Sequence, residues 1–372
     1  MPLVFVQTYR QAIAQFGLFT WGFNNTGQLA ANSVIQRSSP VQVGALTTWT
    51  RVGGNNGTSI GIQSDGTLWT WGNSDAGLLG TGLAFPAQPY TSSPIQVGGT
   101  TWAEVADGNP SQHMAAIRTD GTLWLWGSNS VGQLGDNTAN NRSSPVQTVS
   151  GGANWAQVSL GESHSTAIKT DGTLWTWGLN TYGQLGDNSI TTRVSPVQIA
   201  GTTWKQVSGG ASHLAAVKTD GTLWTWGAGT FGRLGLGDEV NRSSPVQVGG
   251  LTDWDEVHCG YNHTLALKTD GTLWAIGGAN NAGQLGLGST AHQSSPIQIG
   301  VATDWIHVRG GLLQTAAIRF SGTLWTWGDN FNGGLGLNNT TNQSTPAQVG
   351  SLTGWQFVDG GGGTAGHMLA LR

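Results

Sequence analysis

Apolar and polar residues alternate in short runs along this chain, and the runs return in the same order about every fifty residues. One copy reads Val207–Gly210 behind Trp204, then His213–Lys218 (HLAAVK), Thr222–Gly227 (TLWTWG) and Ser243–Val248 (SSPVQV). Short runs of period-two alternation, bounded by Gly, Asp, Asn and Pro, predict strands and not helices. Asp-Gly stands between the second and third runs as Asp65-Gly66, Asp120-Gly121, Asp171-Gly172, Asp220-Gly221 and Asp270-Gly271, with Ser321-Gly322 as the variant. These pairs predict two-residue hairpin turns of type I′, which need positive φ at both central residues. Ser-Ser-Pro opens the fourth run, as expected of an outer strand that tolerates proline at its start.

The third run is a refrain: GLFTWG, GTLWTWG, GTLWLWG, GTLWTWG, GTLWTWG, GTLWAIG and GTLWTWG. Its terminal glycines are 50, 55, 51, 49, 50 and 51 residues apart. Four short antiparallel strands per copy, seven times over, predict an all-β fold, a seven-bladed β-propeller. The last run, His367–Arg372 (HMLALR), has no refrain after it, whereas the first refrain lacks the run before it. The two pieces complete one blade, so the C-terminal strand is expected to pair with the N-terminal repeat and close the ring, removing the open edges. Residues 17–372 are thus expected to form one propeller domain, and residues 1–16 an ordered segment, a candidate docking or assembly arm.

Every tryptophan has a place in this scheme. Twelve lie in the refrain, among them Trp71, Trp126, Trp177, Trp226 and Trp327 as the second indole of a copy. The other seven, Trp49, Trp102, Trp155, Trp204, Trp254, Trp305 and Trp355, each begin a first strand. The two indoles of a refrain share a strand face and are expected to fill the wedge between blades, each burying roughly 150–250 Å².

Composition narrows the function more than it names it. Charged residues make up 9% of the chain, against about 25% in an average protein, so neutral hydroxyls and amides must wet the surface. Such a surface suits glycans or other proteins. The net charge of −4 and the lack of a basic block argue against nucleic acid as a partner. Cys259 is the only cysteine, which excludes an intrachain disulfide and a cysteine zinc site. No run approaches the eighteen or so apolar residues of a membrane span, and the N-terminus does not read as a secretory signal. Those features favour a virion or the cytoplasm over classical secretion. No catalytic constellation or cofactor motif stands outside the repeat.

The string running from His164 to Gly186, with Asp171-Gly-Thr-Leu-Trp-Thr-Trp-Gly178 and Gly183-Gln-Leu-Gly186, resembles the regulator-of-chromosome-condensation repeat family. The resemblance covers about residues 17–372 and implies a seven-bladed propeller. Functions in that family include nucleotide exchange on a small GTPase, UV-B reception and inhibition of a β-lactamase by protein binding, so the resemblance does not settle the function. Two departures matter. There is no basic tail and no long insertion of the kind the exchange factor uses. The photoreceptor's Gly-Trp-Arg-His-Thr is replaced by Gly260-Tyr-Asn-His-Thr264, so the tryptophans here are not evidence of light sensing.

Functional candidates are sought where the copies disagree. His113, His164, His213, His263 and His367 recur at one position, with Thr58 and Gln314 in the other two copies. A ring of imidazoles would bind a metal or sense pH; since Thr and Gln substitute for it, a hydrogen bond to a neighbouring strand is the expectation. Arg118, Lys169, Lys218, Lys268, Arg319 and Arg372 recur beside the hairpin turn, with Gln63 as the exception, and neutralisation by the turn aspartate is expected. Arg37, Arg142, Arg193 and Arg242 precede Ser-Pro in four copies only, a candidate partner-binding face. Asp253, Asp255 and Glu256 lack the spacing of a calcium loop. The longest departure is Leu78–Thr91, where Phe85 and Tyr90 are candidate binding anchors. The expected function is a non-enzymatic binding or assembly scaffold that needs no cofactor. As an exposed virion, tail or surface component it would recognise protein, glycan or neighbouring subunits. The alternative is an intracellular regulator that holds a small GTPase or another protein on one propeller face.

Overall fold

The computed structural model describes residues 15–84, 86–99, 101–108, 111–150, 152–361 and 366–372. The expected docking arm falls on residues 1–16, of which 1–14 lie outside the described residues. Seven blades, each of four antiparallel strands, are arranged in a ring; blades 1 to 6 run from an innermost strand to an outermost one in chain order, and Asp107–Gly108 of blade 2 adds a short parallel pairing to Ser159–Leu160 of blade 3. Blade 4 shows the plan with Trp204–Gly209, His213–Lys218, Leu223–Gly227 and Arg242–Gln247. Blades 1, 2 and 3 start at Trp49, Trp102 and Trp155, and blades 5 and 6 at Trp254 and Trp305. Blade 7 is shared by the two ends of the chain: Phe357–Gly361 and His367–Leu371 precede Leu18–Gly22 and Arg37–Gln42 in one sheet. Leu18 pairs with Leu371 and Gly22 with His367, so the ring closes as the sequence predicts.

Strand length and pattern follow from what each strand touches. The second strand lies between two others and between two neighbouring blades, and His213–Val217 is buried throughout. The third strand alternates less strictly, because Trp224 is half-buried while Leu223, Thr225 and Trp226 are sealed. Apolar side chains gather in seven clusters, each drawn from two adjacent blades; one joins Ile168, Leu174 and Ile199 of blade 3 to Trp204, Val207, Leu214 and Trp226 of blade 4. The core is therefore a set of wedges around a channel, and removing any blade opens two of them. Trp71 Nε1 donates to the carbonyl of Gln28 at 2.8 Å, and Trp177 Nε1 to that of Gln133 at 2.8 Å, so the sealed indole also ties its blade to the preceding one.

Three expectations need correction. First, the hairpin is not a two-residue type I′ turn. Gly221 N donates to the Lys218 carbonyl and Lys218 N to the Thr222 carbonyl, which makes a three-residue loop with Gly221 at φ +78°. Asp220 keeps negative φ, because its Oδ1 accepts from both Thr222 N at 3.0 Å and Thr222 Oγ1 at 2.6 Å. Second, the two refrain indoles are not equivalent. The second is sealed in the wedge, whereas the first is half-buried and roofed by a cation. Third, the cations beside the turn make no ion pair with the turn aspartate among the described residues. Lys218 Nζ instead lies 4.7 and 4.0 Å from the ring centres of Trp204 and Trp224, and Arg118 lies 4.9 and 4.1 Å from those of Trp102 and Trp124. The half-buried cation gains contact with two indole faces, while the turn carboxylate is already engaged by threonine.

Blade 5 departs most from the plan. Its refrain ends in Ile276-Gly277-Gly278, and its outermost strand shortens to Ile297–Gln298. No helix among the described residues is long and apolar enough to cross a membrane.

Candidate partner-binding face

Antiparallel blades give the ring two unlike faces. One, the hairpin face, carries the Gly turns and the links between blades. The other, the loop face, carries the short loops after each innermost strand and the long loops after each third strand. Five of these long loops are built alike around a buried asparagine, while blades 1 and 4 carry Ser74 and Gly229 in its place. In blade 3, buried Asn180 accepts from Leu185 N at 2.9 Å through Oδ1 and donates to the carbonyls of Ser189 and Thr191, both at 3.1 Å. An amide spans the loop and holds it shut. Asp187 then receives Arg193 at 2.7 Å. Burial alone would raise the carboxyl's pKa, yet hydrogen bonds from Ser189 and Arg193 leave it below the ordinary aspartate value.

This geometry places the four candidate arginines. Arg142 pairs with Asp136 at 2.7 Å and Arg242 with Asp238 at 2.6 Å, as Arg193 does with Asp187, so three of them brace their own loops. Arg37 starts the outermost strand of blade 7 and is exposed. Tyr90 starts the outermost strand of blade 1 and is 47% exposed; Phe85 lies outside the described residues.

The loop face gathers aromatic rings. Tyr182 is 45% and Phe331 78% exposed at the tips of the loops of blades 3 and 6. Phe231 of blade 4 stacks on His292 of blade 5, with ring centres 5.1 Å apart and planes at 27°. Tyr261, in the short loop of blade 5, reaches past blade 4 and donates its hydroxyl to Glu162 of blade 3 at 3.3 Å. Burial, then the Glu162 charge, pushes the Tyr261 phenol above its ordinary value, so it stays a neutral donor.

Four of the five histidines are polar pins between neighbouring blades. His113 Nε2 meets Ser165 Oγ of the next blade at 2.7 Å, and His367 meets Ser59 at 2.9 Å. All are buried, and burial lowers His113 and His367 to about 3 and His164 and His263 to about 4. Their lowered pKa values keep them neutral; blade 4 carries Leu214 at the hydroxyl position, and neither ring nitrogen of His164 has a partner among the described residues.

A charged cluster on two neighbouring innermost strands has no local signature in the sequence. Glu256 Oε1 lies 2.7 Å from His258 Nε2, 3.3 Å from His307 Nδ1 and 3.0 Å from Arg309 NH1. The residues occupy the second and fourth places after Trp254 and Trp305 on neighbouring innermost strands, a register visible only once the copies are stacked. Burial opposes the Glu256 charge, but His307 and His258 hold its pKa well below the ordinary value. His307 is lowered by burial first and by Arg309 second, against the pull of Glu256. The acidic trio of the sequence is dispersed: Asp253 pairs with Lys268 at 3.2 Å, Asp255 pairs with Lys205, and Glu256 enters the channel. Among the described residues no three His, Cys, Asp or Glu side chains are grouped to hold a metal ion.

Comparison with known proteins agrees with this architecture. The RCC1-like domain profile matches residues 91–312, and the regulator of chromosome condensation (RCC1) repeat matches residues 17–58 and 321–366. Human HERC3, a probable E3 ubiquitin-protein ligase, is 32% identical over 38% of this chain, a match that spans 13% of HERC3. The Arabidopsis thaliana ultraviolet-B receptor UVR8 is 31% identical over 48% of this chain and 41% of its own. Among solved structures, Prp20p of Saccharomyces cerevisiae superposes with a TM-score of 0.84 at 17% identity, covering 97% of this chain and 92% of its own. Human WBSCR16 does so with 0.83 at 21%, covering 97% and 99%. The matched segments are well under two thirds of the curated relatives, so those proteins' whole activities do not transfer.

Proposed function

The chain belongs to the RCC1-like domain family, and from that premise we propose that it is a non-enzymatic binding module that holds a protein partner on its loop face. The observation that carries this reading is the placement of Tyr182, Phe231, Tyr261 and Phe331 on one face, with Tyr182 and Phe331 on loops that buried Asn180 and Asn330 hold shut. Exposed aromatic side chains on a preordered surface lose little entropy on binding and make the strongest anchors. Tyr90 lies on the same face and is part of the proposal.

Relatives favour the regulatory form of this reading over a virion, tail or glycan-binding component. The Prp20p structure is described together with binding to Gsp1p and histones, and a second structure of the same yeast protein has it bound to Kap60. A small GTPase is the partner class that the family resemblance implies. The match to HERC3 spans only 13% of that protein, so its ligase activity does not carry over.

The test is site-specific photo-crosslinking in the native host. A photoreactive phenylalanine analogue at Tyr182 or Phe331 is expected to capture a discrete partner, while one at Phe320 on the hairpin face, 77% exposed, captures none. Capture from Phe320 alone would overturn the choice of face.

A further inference from the structure

Two cations of this chain are less than a tenth exposed among the described residues, Arg233 at 5% and Lys268 at 9%. Lys268 has its carboxylate, Asp253, at 3.2 Å. Arg233 has none: its Nε donates to the Thr230 carbonyl at 2.9 Å, its guanidinium lies 5.8 Å from the Phe231 ring centre, and no ion pair reaches it among the described residues. The groups that act on it favourably are Tyr261, Tyr182 and Cys259, none of them a carboxylate. Glu162, the carboxylate on this part of the face, is engaged by the Tyr261 hydroxyl. Burial accordingly lowers the guanidinium's pKa.

The repeat gives no structural reason for this charge. The matching residues are Gln28, Gln133, Gln184 and Gln284 in four copies and Leu78 and Gly334 in two. Each glutamine folds its Oε1 back onto the backbone N–H two residues earlier, as Gln184 does to Tyr182 N at 2.9 Å. Arginine has no acceptor and cannot make that bond. A buried charge with no counter-charge is costly unless something pairs with it.

We propose that Arg233 is the specificity centre of the loop face: it receives the carboxylate of an Asp or Glu side chain from a protein partner, in a cradle formed by Tyr182, Phe231 and Tyr261. Arginine pairs two parallel donors with a carboxylate, and desolvation by the surrounding rings strengthens the pair. This deepens the protein-binding reading and rests on it; the partner segment is acidic and seats across blades 3 to 5. An arginine among aromatic rings is the composition of interface anchors.

The probe is a displayed library of random twelve-residue peptides, selected on the full chain and counter-selected on R233Q, which installs the residue common to four other copies. The proposal expects enrichment of sequences with a shared Asp or Glu. A selected peptide should bind at least about tenfold more weakly to R233Q, and again when its acidic residue becomes the amide. R233Q should melt no lower than the parent, whereas a purely structural arginine would leave a less stable variant. Three results overturn the proposal: no Arg233-dependent sequences, Arg233-dependent sequences without a shared acid, or full competition by equimolar inorganic phosphate, which marks a general anion site. If the peptides fail while crosslinks from Tyr182 persist, the carboxylate assignment falls and the choice of face stands; loss of the crosslinks removes the face itself.

Discussion

His213 Nε2 lies 3.0 Å from Thr264 Oγ1 of the next blade, and that hydroxyl donates onward to the carbonyl of Arg233 at 2.8 Å. A hydroxyl has one proton, so the threonine must accept from the imidazole, which fixes Nε2–H as the donor. His113, Ser165 and the Gln133 carbonyl repeat the relay, with the serine donating at 2.7 Å. Each relay joins the second strands of two blades through the long loop of the first.

Acid should loosen the ring before any carboxylate titrates. A buried histidine lowered to about 3 or about 4 stays neutral when the unfolded chain's histidines protonate near 6.5. The unfolded state then binds more protons, so stability is complete above pH 6.5 and falls as pH drops toward the folded values. Each such histidine contributes a slope of up to about 1.4 kcal/mol per pH unit. Melting temperature recorded from pH 8 to pH 5 should decline below 6.5, and H113Q should flatten the decline. A level profile would show that the imidazoles are charged or exposed.

The two refrain indoles should differ in cost. Trp226→Ala empties a sealed wedge and is expected to lose about 3–5 kcal/mol. Trp224→Ala removes a half-buried ring and should lose less. Lys218→Met keeps the aliphatic stem and removes the charge over the two indoles, for about 0.5–1 kcal/mol. Denaturant unfolding of the three variants gives the order directly.

Gly210 and Gly250 offer a steric contrast. A Cβ on Gly210 would sit 2.2 Å from His213 Cε1, while one on Gly250 meets nothing within 4 Å. Gly210→Ala should therefore cost on the order of 1–3 kcal/mol, and Gly250→Ala should be neutral or stabilise slightly. Equal melting temperatures would mean that the imidazole is not packed against the Gly210 backbone.

Deleting residues 367–372 should unfold more than one strand. Leu18–Gly22 would lose its partner, Met368 and Ala370 would leave the wedge they share with Trp21 and Trp355, and a sheet edge would open. The expected product is insoluble or lacks fixed packing, read by near-ultraviolet circular dichroism.

The architecture was legible because it is said seven times: refrain, hairpin and first-strand tryptophan keep their spacing, and the split last copy revealed the closure. Local chemistry was less so. Asp220-Gly221 reads as a two-residue turn until Thr222 captures the carboxylate, and Lys218 reads as the aspartate's partner until the indoles are placed on either side of it. The channel cluster joins Glu256 and His258 to His307 and Arg309, roughly one repeat apart in the chain, and no local pattern marks it. Arg233 was one letter in a run of glutamines, ordinary in sequence and costly only when buried.

Gly17 N donates to the Arg372 carbonyl at 2.9 Å, and Arg372 N to that of Gly17 at 3.1 Å, so both ends of the propeller lie side by side within blade 7. The covalent order of the blades is then separable from their order in space. A circular permutant that links Arg372 to Phe16 and opens the chain between Gly249 and Gly250 would keep every wedge, yet make all seven blades continuous in sequence. In the present connectivity His367–Leu371 clamps Leu18–Gly22 across the ring; in the permutant only side-chain packing between blades 4 and 5 would complete the circle.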